Sequence, residues 1–238
     1  MMTPKKIKRL IVLEQAQSTN TVLKEMCRRG YAGFNTIVYT ENQISGYGRR
    51  GKFWHSEAGK NISVSLSLQG FDGDELLSLA AGVFAVEAVK AVCGEGLPLS
   101  IKWPNDVLLG GKKLCGISCE KIGGDFIVLG IGVNVNNEGF PKGLEDTATS
   151  LYLQTGKNWD LVALRDEIVA RVFAGFSIDI LDKVRQYCVN IGQNVRIIGE
   201  KGVIAEGKAV DIAVDGGIVV LLSDGTKKNY YSGEISLR

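Results

Sequence analysis

A short segment in the first quarter of the chain combines backbone flexibility with positive charge. It spans residues 45–51, reads SGYGRRG and places three glycines around Arg49 and Arg50. Glycine permits unusual backbone angles, and arginine supplies a permanent charge and a planar fork of donors that matches a phosphate or a carboxylate. The segment predicts a loop that binds an anion, although a solvated turn is an alternative that this segment by itself leaves open.

A second candidate is the segment KWPND at residues 102–106, with Lys113 seven residues after its last position. Proline cannot donate to a sheet and keeps the preceding residue extended, so a strand is expected to end at Trp103. A Gly-Gly turn before Lys113 predicts a hairpin that returns this lysine towards Asp106. A carboxylate held beside an ammonium is typical of a polarised site. An Asn-Asp turn with a surface lysine is the alternative.

Two further segments carry polar groups at the ends of predicted elements. In GIGVN, Gly130 and Gly132 lie inside an apolar strand that ends at Asn134, which is expected where a flat ligand or a packed helix approaches the backbone closely. Ser18 and Thr19 begin a predicted helix, where hydroxyls usually cap the helix but also suit a polar ring or a carbonyl.

The pattern of apolar residues predicts the elements that position these groups. Strands are predicted at 7–14, 35–41, 61–68, 99–103, 106–109, 113–120 and 126–135, and helices at 19–29, 74–92 and 161–176. The strand at 61–68 alternates apolar and polar residues and is expected to be half-buried. These elements predict an α+β fold with a mixed, mainly antiparallel sheet and helices packed on one side.

The last fifty residues have a different pattern of predicted elements. Short β-rich runs alternate with turns such as Asp215-Gly216-Gly217 and Asp224-Gly225, which predicts a small SH3-like β-barrel. We therefore expect two domains, at 1–188 and 189–238.

Composition excludes several classes of protein. A net charge of +2 with no long basic block argues against a nucleic-acid binder, and no apolar run approaches the length of a membrane span. Five scattered cysteines argue against a disulfide framework, and the single histidine, His55, leaves zinc poorly served. The N-terminal apolar stretch is too short for a secretory signal, so we expect a cytoplasmic protein.

Six segments occur together in an order and spacing that resemble the biotin–protein ligases, from about residue 10 to the end of the chain. They are STN at 18–20, GYGRRG at 46–51, KWPND at 102–106, KKLCGI at 112–117, GIGVN at 130–134 and GEISLR at 233–238. Each is weak singly, whereas the ordered set is specific. The resemblance implies the class II synthetase-like fold of those ligases, with the C-terminal barrel, and makes 1–188 the catalytic domain.

The resemblance also implies a two-step reaction with ATP as co-substrate and Mg²⁺. The carboxylate of biotin attacks the α-phosphate of ATP, and a lysine of a biotin carboxyl carrier domain then attacks the biotinyl-5′-adenylate. Because the first step joins two anions, positive charge is expected at the α-phosphate. The glycine loop is expected to order over the adenylate and exclude water.

By resemblance, three sets of residues carry the reaction. The catalytic residues are Arg49, Lys113 and Asp106. Biotin is held by Ser18, Thr19, Asn20, Gln43, Gly46, Tyr47, Gly48, Arg49, Lys113 and Gly116. ATP is held by Arg49, Arg50, Trp54, Lys102, Asn105, Lys113, Gly130, Gly132, Asn134 and Arg238. The metal ligands are left unassigned.

The chain departs from the family pattern at two places. Tyr47 stands where the family's loop has its first arginine, and no role is assigned to its side chain. The loop before Thr149 lacks a tryptophan that covers the adenine in some relatives, and Phe140 is the candidate to replace it. The chain starts at the first strand of the catalytic domain, so we expect no specific DNA binding. By resemblance, a homodimer is possible.

Two alternative functions stay open. A lipoate–protein ligase shares the fold and the adenylation chemistry, although KWPND and the arginine-rich loop resemble the biotin branch. A non-catalytic biotin-binding protein is the other alternative. It would not require Arg49, Asp106 and Lys113 together, since holding biotin alone needs no such cluster of charge.

Overall fold

A computed structural model describes residues 9–48, 51–69, 74–123, 125–199, 201–231 and 233–237 of the chain. Its strands are β1 (Arg9–Val12), β2 (Thr36–Thr40), β3 (Gly46–Tyr47), β4 (Phe53–Trp54), β5 (Asn61–Gln69), β6 (Leu99–Lys102), β7 (Asp106–Leu109), β8 (Lys112–Lys121), β9 (Phe126–Asn134), β10 (Asn194–Gly199), β11 (Gly202–Ile212), β12 (Ile218–Leu221), β13 (Lys227–Tyr230) and β14 (Glu234–Leu237). Its helices are α1 (Thr19–Arg28), α2 (Asp74–Cys93), α3 (Leu151–Thr155), α4 (Leu161–Ala174) and α5 (Ile180–Tyr187).

A seven-stranded sheet in the order β1-β2-β5-β9-β8-β7-β6 forms the centre of the molecule. Only β1 and β2 run parallel within it, and the other neighbours are antiparallel. The predicted α+β fold with a mainly antiparallel sheet is therefore confirmed. The described strands lie within a few residues of the predicted ones, and the predicted start of the first strand at residues 7 and 8 lies outside the described residues.

Helices pack on both faces of this sheet, so the expectation of helices on one side was wrong. One face carries α2, α4 and α5 over a large apolar core that includes Ile37 and Ile127. Neighbouring residues in a strand point to opposite faces, which places Val38 and Val128 on the other side. There they form a second apolar cluster with Leu23 of α1. This second cluster is too small for the apolar pattern to show it.

Strand β5 is buried on both faces, which corrects the prediction that it is half-buried. Ile62, Val64 and Leu66 point into the large core, and Ser63 and Ser65 on the alternate face are also buried. Helix α1 packs on the serine face, and Ser63 on the same face lines the cleft described below. A buried hydroxyl requires a hydrogen-bond partner, so this face is built for polar contacts.

The helices in the second half of the chain differ from the prediction in number and length. Helix α4 begins at its cap Asp160, as predicted, but ends at Ala174 because Gly175 adopts a positive φ of 81°. Two shorter helices, α3 and α5, were missed, and α3 is capped by the Ser150 hydroxyl. Contrary to expectation, Leu76–Cys93 of α2 is long and apolar enough to span a membrane. However, 67% of this stretch is buried inside the protein, as in the core helix of a globular domain.

The C-terminal segment is all-β, as predicted, and forms a five-stranded antiparallel sheet in the order β13-β12-β11-β10-β14. The KWPND segment holds it to the rest of the chain. The indole N–H of the buried Trp103 donates to the carbonyl of Gly216 at 3.0 Å, and its backbone N–H donates to Asn190 Oδ1 at 2.8 Å. The boundary at residue 188 stays a prediction.

Candidate active site

A cleft of about 220 Å³ lies on the sheet face that carries α1, and most of the predicted site residues line it. Its walls are the start of α1, the β3–β4 hairpin, the turn between β6 and β7, and Gly233 and Ile235 from the C-terminal segment. The predicted residues that line it are Ser18, Thr19, Asn20, Gln43, Tyr47, Gly48, Trp54, Lys102, Asn105, Asp106, Lys113, Gly116, Gly130 and Gly132. Arg49, Arg50 and Arg238 lie outside the described residues.

One end of the cleft, which we call the neutral end, is lined by uncharged hydroxyl and amide groups at the start of α1. Ser18 caps the helix and accepts from the backbone N–H of Thr21. The backbone N–H of Thr19 donates to Gln43 Oε1 at 2.9 Å, and Thr19 Oγ1 lies 2.8 Å from Ser65 Oγ. Ser18 and Thr19 are each 4% exposed, so these groups are fixed by the fold.

Asn20 extends the neutral end to strand β8. Its amide donates to Glu120 Oε1 at 2.9 Å and to Ser118 Oγ at 3.3 Å, and its carbonyl oxygen accepts from Ser65. A Cβ atom on Gly130 would lie 2.8 Å from Asn20 Cγ. The glycine is therefore needed for the close approach of α1, which is the helix-packing alternative considered for this strand.

The opposite end, which we call the charged end, is built on the β7–β8 hairpin. Lys113 Nζ lies 2.7 Å from Asp106 Oδ1, so the hairpin does return the lysine to the carboxylate. Lys102 is the register partner of Asp106 on β6 and also lines the cleft. The side chains of Lys113 and Asp106 are 35% and 22% exposed. This pair therefore meets both solvent and any ligand in the cleft.

Trp54 covers the floor of the charged end. Its indole lies against the backbone of Gly132 and Gly116, where added Cβ atoms would lie 2.8 Å from Cε2 and 3.0 Å from Cζ3. Lys113 Nζ is 5.5 Å from the centre of the ring. The flat group on Gly132 is thus a side chain of the protein itself. The indole nitrogen is buried and has no hydrogen-bond partner within the described residues.

Two predicted ATP-binding asparagines hold the framework together. Asn105 Nδ2 donates to the carbonyl of Ile117 at 2.7 Å, which fastens the KWPND turn to β8. Asn134 accepts from Asn61 at 2.8 Å and donates to the carbonyl of Thr149 at 3.1 Å. Asn105 lines the cleft and Asn134 does not. Their contacts with ATP stay a prediction.

Gly46 does not line the cleft but pairs with Trp54 in the β3–β4 hairpin. A Cβ atom there would overlap Gln43 Nε2 and lie 3.1 Å from Trp54 Cδ1, so glycine lets the hairpin pack against Gln43. The other candidate aromatic, Phe140, lies edge-on to His55 with the ring centres 6.0 Å apart. Both rings belong to a shallow surface beside the cleft, and the role of Phe140 toward adenine stays a prediction.

Several lining residues were missed from the sequence. They are Lys52, Phe53, Ser63, Val64, Trp103, Pro104, Ile117, Ser118, Ile131, Gly233 and Ile235. The alternating serines of β5 were a signal for Ser63, because a period-two polar face on a central strand needs polar partners. Trp103, Pro104, Ile117, Gly233 and Ile235 lie in the motifs quoted above. The position of Gly233 and Ile235 depends on how the C-terminal sheet packs, which no local pattern reveals.

The described residues hold no cluster of metal ligands, and the buried Cys115 thiol is not reactive. No group of three or more histidine, cysteine, aspartate or glutamate side chains is placed to hold an ion, and Asp106 is the only carboxylate lining the described part of the cleft. None of the five cysteines, all of which lie in the described part of the chain, forms a disulfide, and burial raises the pKa of the Cys115 thiol to about 12. That thiol is therefore protonated and unsuited to attack.

Comparison with known sequences gives two family matches. Residues 12–136 match the sequence model of the "Biotin/lipoate A/B protein ligase family", and residues 191–238 match the "Biotin protein ligase C terminal domain". The chain is 31% identical to the "Bifunctional ligase/repressor BirA" of Bacillus spizizenii, over 96% of this chain and 74% of that protein. It is 30% identical to the "Biotin--[acetyl-CoA-carboxylase] ligase" of Mycobacterium tuberculosis, over 92% and 88%.

The fold is similar to that of solved structures. The "Biotin protein ligase from Aquifex aeolicus in complex with biotin and ATP" superposes with a TM-score of 0.84 at 32% identity, covering 97% of this chain and 99% of that one. The similarity extends over nearly the whole chain and therefore includes both the seven-stranded sheet and the C-terminal sheet.

Proposed function

The chain belongs to the biotin/lipoate A/B protein ligase family, and we propose that it is an ATP-dependent ligase that joins biotin to a lysine of a carrier domain. In the first step biotin is activated as biotinyl-5′-AMP. In the second step the biotinyl group passes to one lysine of a biotin carboxyl carrier domain. The observation that carries the proposal is that a single cleft has a neutral polar end and a lysine–aspartate end.

The two ends suit the two parts of biotin. The ureido ring of biotin has N–H donors and one carbonyl acceptor, which match the hydroxyl and amide groups of Thr19, Asn20 and Gln43. The carboxylate at the other end of biotin is an anion and requires a cation. Lys113 and Lys102 supply cations at the charged end.

In the first step, a carboxylate oxygen of biotin attacks the α-phosphorus of ATP and the bond to pyrophosphate breaks. Two anions approach each other, so the barrier falls when fixed cations lie beside the developing charge. Lys113 is the cation placed at this end of the cleft, with its ammonium group 2.7 Å from Asp106 Oδ1 in the free protein. The role of Arg49 as a second cation rests on the sequence motif.

Mg²⁺ would enter with ATP rather than occupy a site built by the protein. Magnesium in nucleotide sites usually has one or two carboxylate ligands, with phosphate oxygens and water completing its shell. Asp106 is the one carboxylate among the described lining residues, and it fits this mode. Bound in that way, the ion would neutralise charge on the triphosphate.

In the second step, the neutral ε-amine of the acceptor lysine attacks the acyl carbon, the bond to the phosphate oxygen breaks and AMP leaves. The amine loses a proton to solvent as the amide forms. Asp106 can orient that amine. Its partner in the free protein, the Lys113 ammonium group, can contact a phosphate instead and so leave the carboxylate available.

Exchange of labelled pyrophosphate into ATP tests the first step, with purified protein, Mg²⁺ and either biotin or lipoate. Exchange with biotin and none with lipoate is the expected result. Exchange with lipoate only would assign the chain to the lipoate branch of the family. Biotin binding without exchange for either acid would contradict the enzyme and leave a binding protein.

A further inference from the structure

We propose that Tyr47, Lys24 and Glu120 form a positioning network that holds strand β3 against the neutral end of the cleft and so sets the affinity for biotin. The inference rests on the proposed function and assigns a role to the Tyr47 side chain, which the family motif leaves unexplained. We call these three residues the Tyr47 network.

The network is centred on the ammonium group of Lys24. Its Nζ atom donates to Tyr47 OH at 2.8 Å and to Glu120 Oε2 at 2.7 Å. The same group lies 5.3 Å from the centre of the Tyr47 ring, and Thr21 Oγ1 is 3.3 Å from the Tyr47 hydroxyl. One cation therefore joins three elements that are distant in sequence: β3, α1 and β8.

The network reaches the cleft at two points. Tyr47 lines the cleft directly. Asn20 also lines the cleft, and its side-chain amide donates to the second carboxylate oxygen of Glu120 at 2.9 Å. Lys24 and Glu120 are not lining residues. They act through Tyr47 and Asn20 and are therefore positioning residues rather than catalytic ones.

Burial distinguishes this ion pair from those on the open surface. The side chains of Lys24 and Glu120 are 16% and 30% exposed, whereas Glu25 and Arg29 on the same helix are 48% and 64% exposed. Charged hydrogen bonds are worth more when water is partly excluded. Burial alone acts to lower the pKa of Lys24, but hydrogen bonds to Glu120 and Tyr47 outweigh it and raise that pKa. The lysine is therefore charged at neutral pH.

Position 47 and position 24 are chemically matched in this chain. The family motif GRGRRG would place an arginine at 47, and its guanidinium would meet the ammonium of Lys24 as a like charge. The hydroxyl of tyrosine accepts from that ammonium instead. Tyr47 thus keeps β3 in place by a contact that the arginine of the motif could not make.

The test measures KM for biotin and kcat in the pyrophosphate exchange assay for Lys24→Met, Tyr47→Phe and the double variant. Each single variant is expected to raise KM for biotin about tenfold with kcat within about twofold, since a charged hydrogen bond is lost without touching the reacting atoms. The double variant is expected to be no worse than the worse single one, because the residues act as one unit. Lys24→Arg, which keeps the charge and the donors, is expected to recover part of the affinity.

Arg29→Met is the matched control, because it removes a cation from the same helix without reaching the cleft. It should leave both constants unchanged. Unchanged KM for biotin in Tyr47→Phe, or additive losses in the double variant, would overturn the network. If Lys24→Met does not fold, Tyr47→Phe and Lys24→Arg carry the test. Absence of exchange in the unaltered protein would instead count against the proposed function, so the two failures are distinguishable.

Discussion

The two ends of the cleft differ in charge, in solvent exposure and in how fully their polar groups are already hydrogen-bonded. At the neutral end, Thr19 and Asn20 are each about 5% exposed or less and already bonded to Gln43, Ser65 and neighbouring groups. At the charged end, Lys113 and Asp106 remain about a third and a fifth exposed and have each other as partners. The first region is complete without ligand, and the second holds a pair of charges that can exchange partners.

This difference is what a binding step followed by a chemical step requires. Hydroxyl and amide groups fixed in advance lose little entropy when a polar ring docks, so they favour affinity and selectivity. A lysine held by an aspartate can turn to a phosphate when one arrives, which favours stabilisation of charge in the transition state. Changes at the neutral end should therefore alter KM for biotin, and removal of a cation at the charged end should alter kcat.

Lys113→Ala should have the largest effect. Removing a cation placed at developing negative charge is expected to lower kcat for exchange by a factor of about 10² to 10³, with biotin binding altered far less. Lys112→Ala is the matched control, because the neighbouring Nζ donates to the carbonyl of Glu145 on the exposed surface. Equal losses in the two variants would show that Lys113 has no special role.

Alanine at the two strand glycines should separate the ends of the cleft. At Gly130 the new Cβ displaces Asn20, and at Gly132 it displaces the indole of Trp54. Crowding of this kind costs about 1–3 kcal/mol, so each change should raise one KM by about fivefold or more. Gly130→Ala should raise KM for biotin, and Gly132→Ala should raise KM for ATP. The same KM profile in both variants would contradict a division into two ends.

Thr19→Val should have a smaller effect confined to binding. The valine keeps the shape but loses the hydroxyl between Ser65 and Gln43, and a lost buried hydrogen bond costs about 1 kcal/mol. KM for biotin should rise about fivefold with kcat unchanged, as measured by exchange kinetics over a range of biotin concentrations. A fall in kcat with constant KM would contradict this assignment and show that Thr19 acts in the chemical step.

The smallest effect should appear at acid pH. Burial acts to raise the pKa of Glu120, but hydrogen bonds from Lys24 and Asn20 outweigh it and lower that pKa below 4.5. A carboxylate with a lowered pKa stabilises the fold at neutral pH and loses that contribution as pH falls below 4.5 and through the folded value. The free energy of unfolding should therefore fall less between pH 7 and acid pH in Glu120→Gln than in the unaltered protein. The difference between the two falls should be less than about 1 kcal/mol. Urea unfolding at both pH values measures the difference, and identical acid losses would contradict it.

The charged end was largely predictable from the sequence, and the neutral end only in part. A strand that stops at a proline, a Gly-Gly turn and a second strand allow few arrangements, so the meeting of Lys113 with Asp106 followed from local rules. Asn20 and Glu120 are 100 residues apart, and no spacing rule connects them. The hairpin of β3 and β4 was missed because two-residue strands carry no periodicity.

The central claim is that one cleft activates biotin and delivers it to a lysine. The most direct measurement incubates the protein with ATP, Mg²⁺, biotin and a purified biotin carboxyl carrier domain, and follows the intact mass of that domain. We predict that one biotinyl group is added, and that replacing the acceptor lysine by arginine prevents the addition. A carrier domain that stays unmodified while biotin-dependent exchange proceeds would contradict the transfer step. Modification in the absence of ATP would contradict the adenylate.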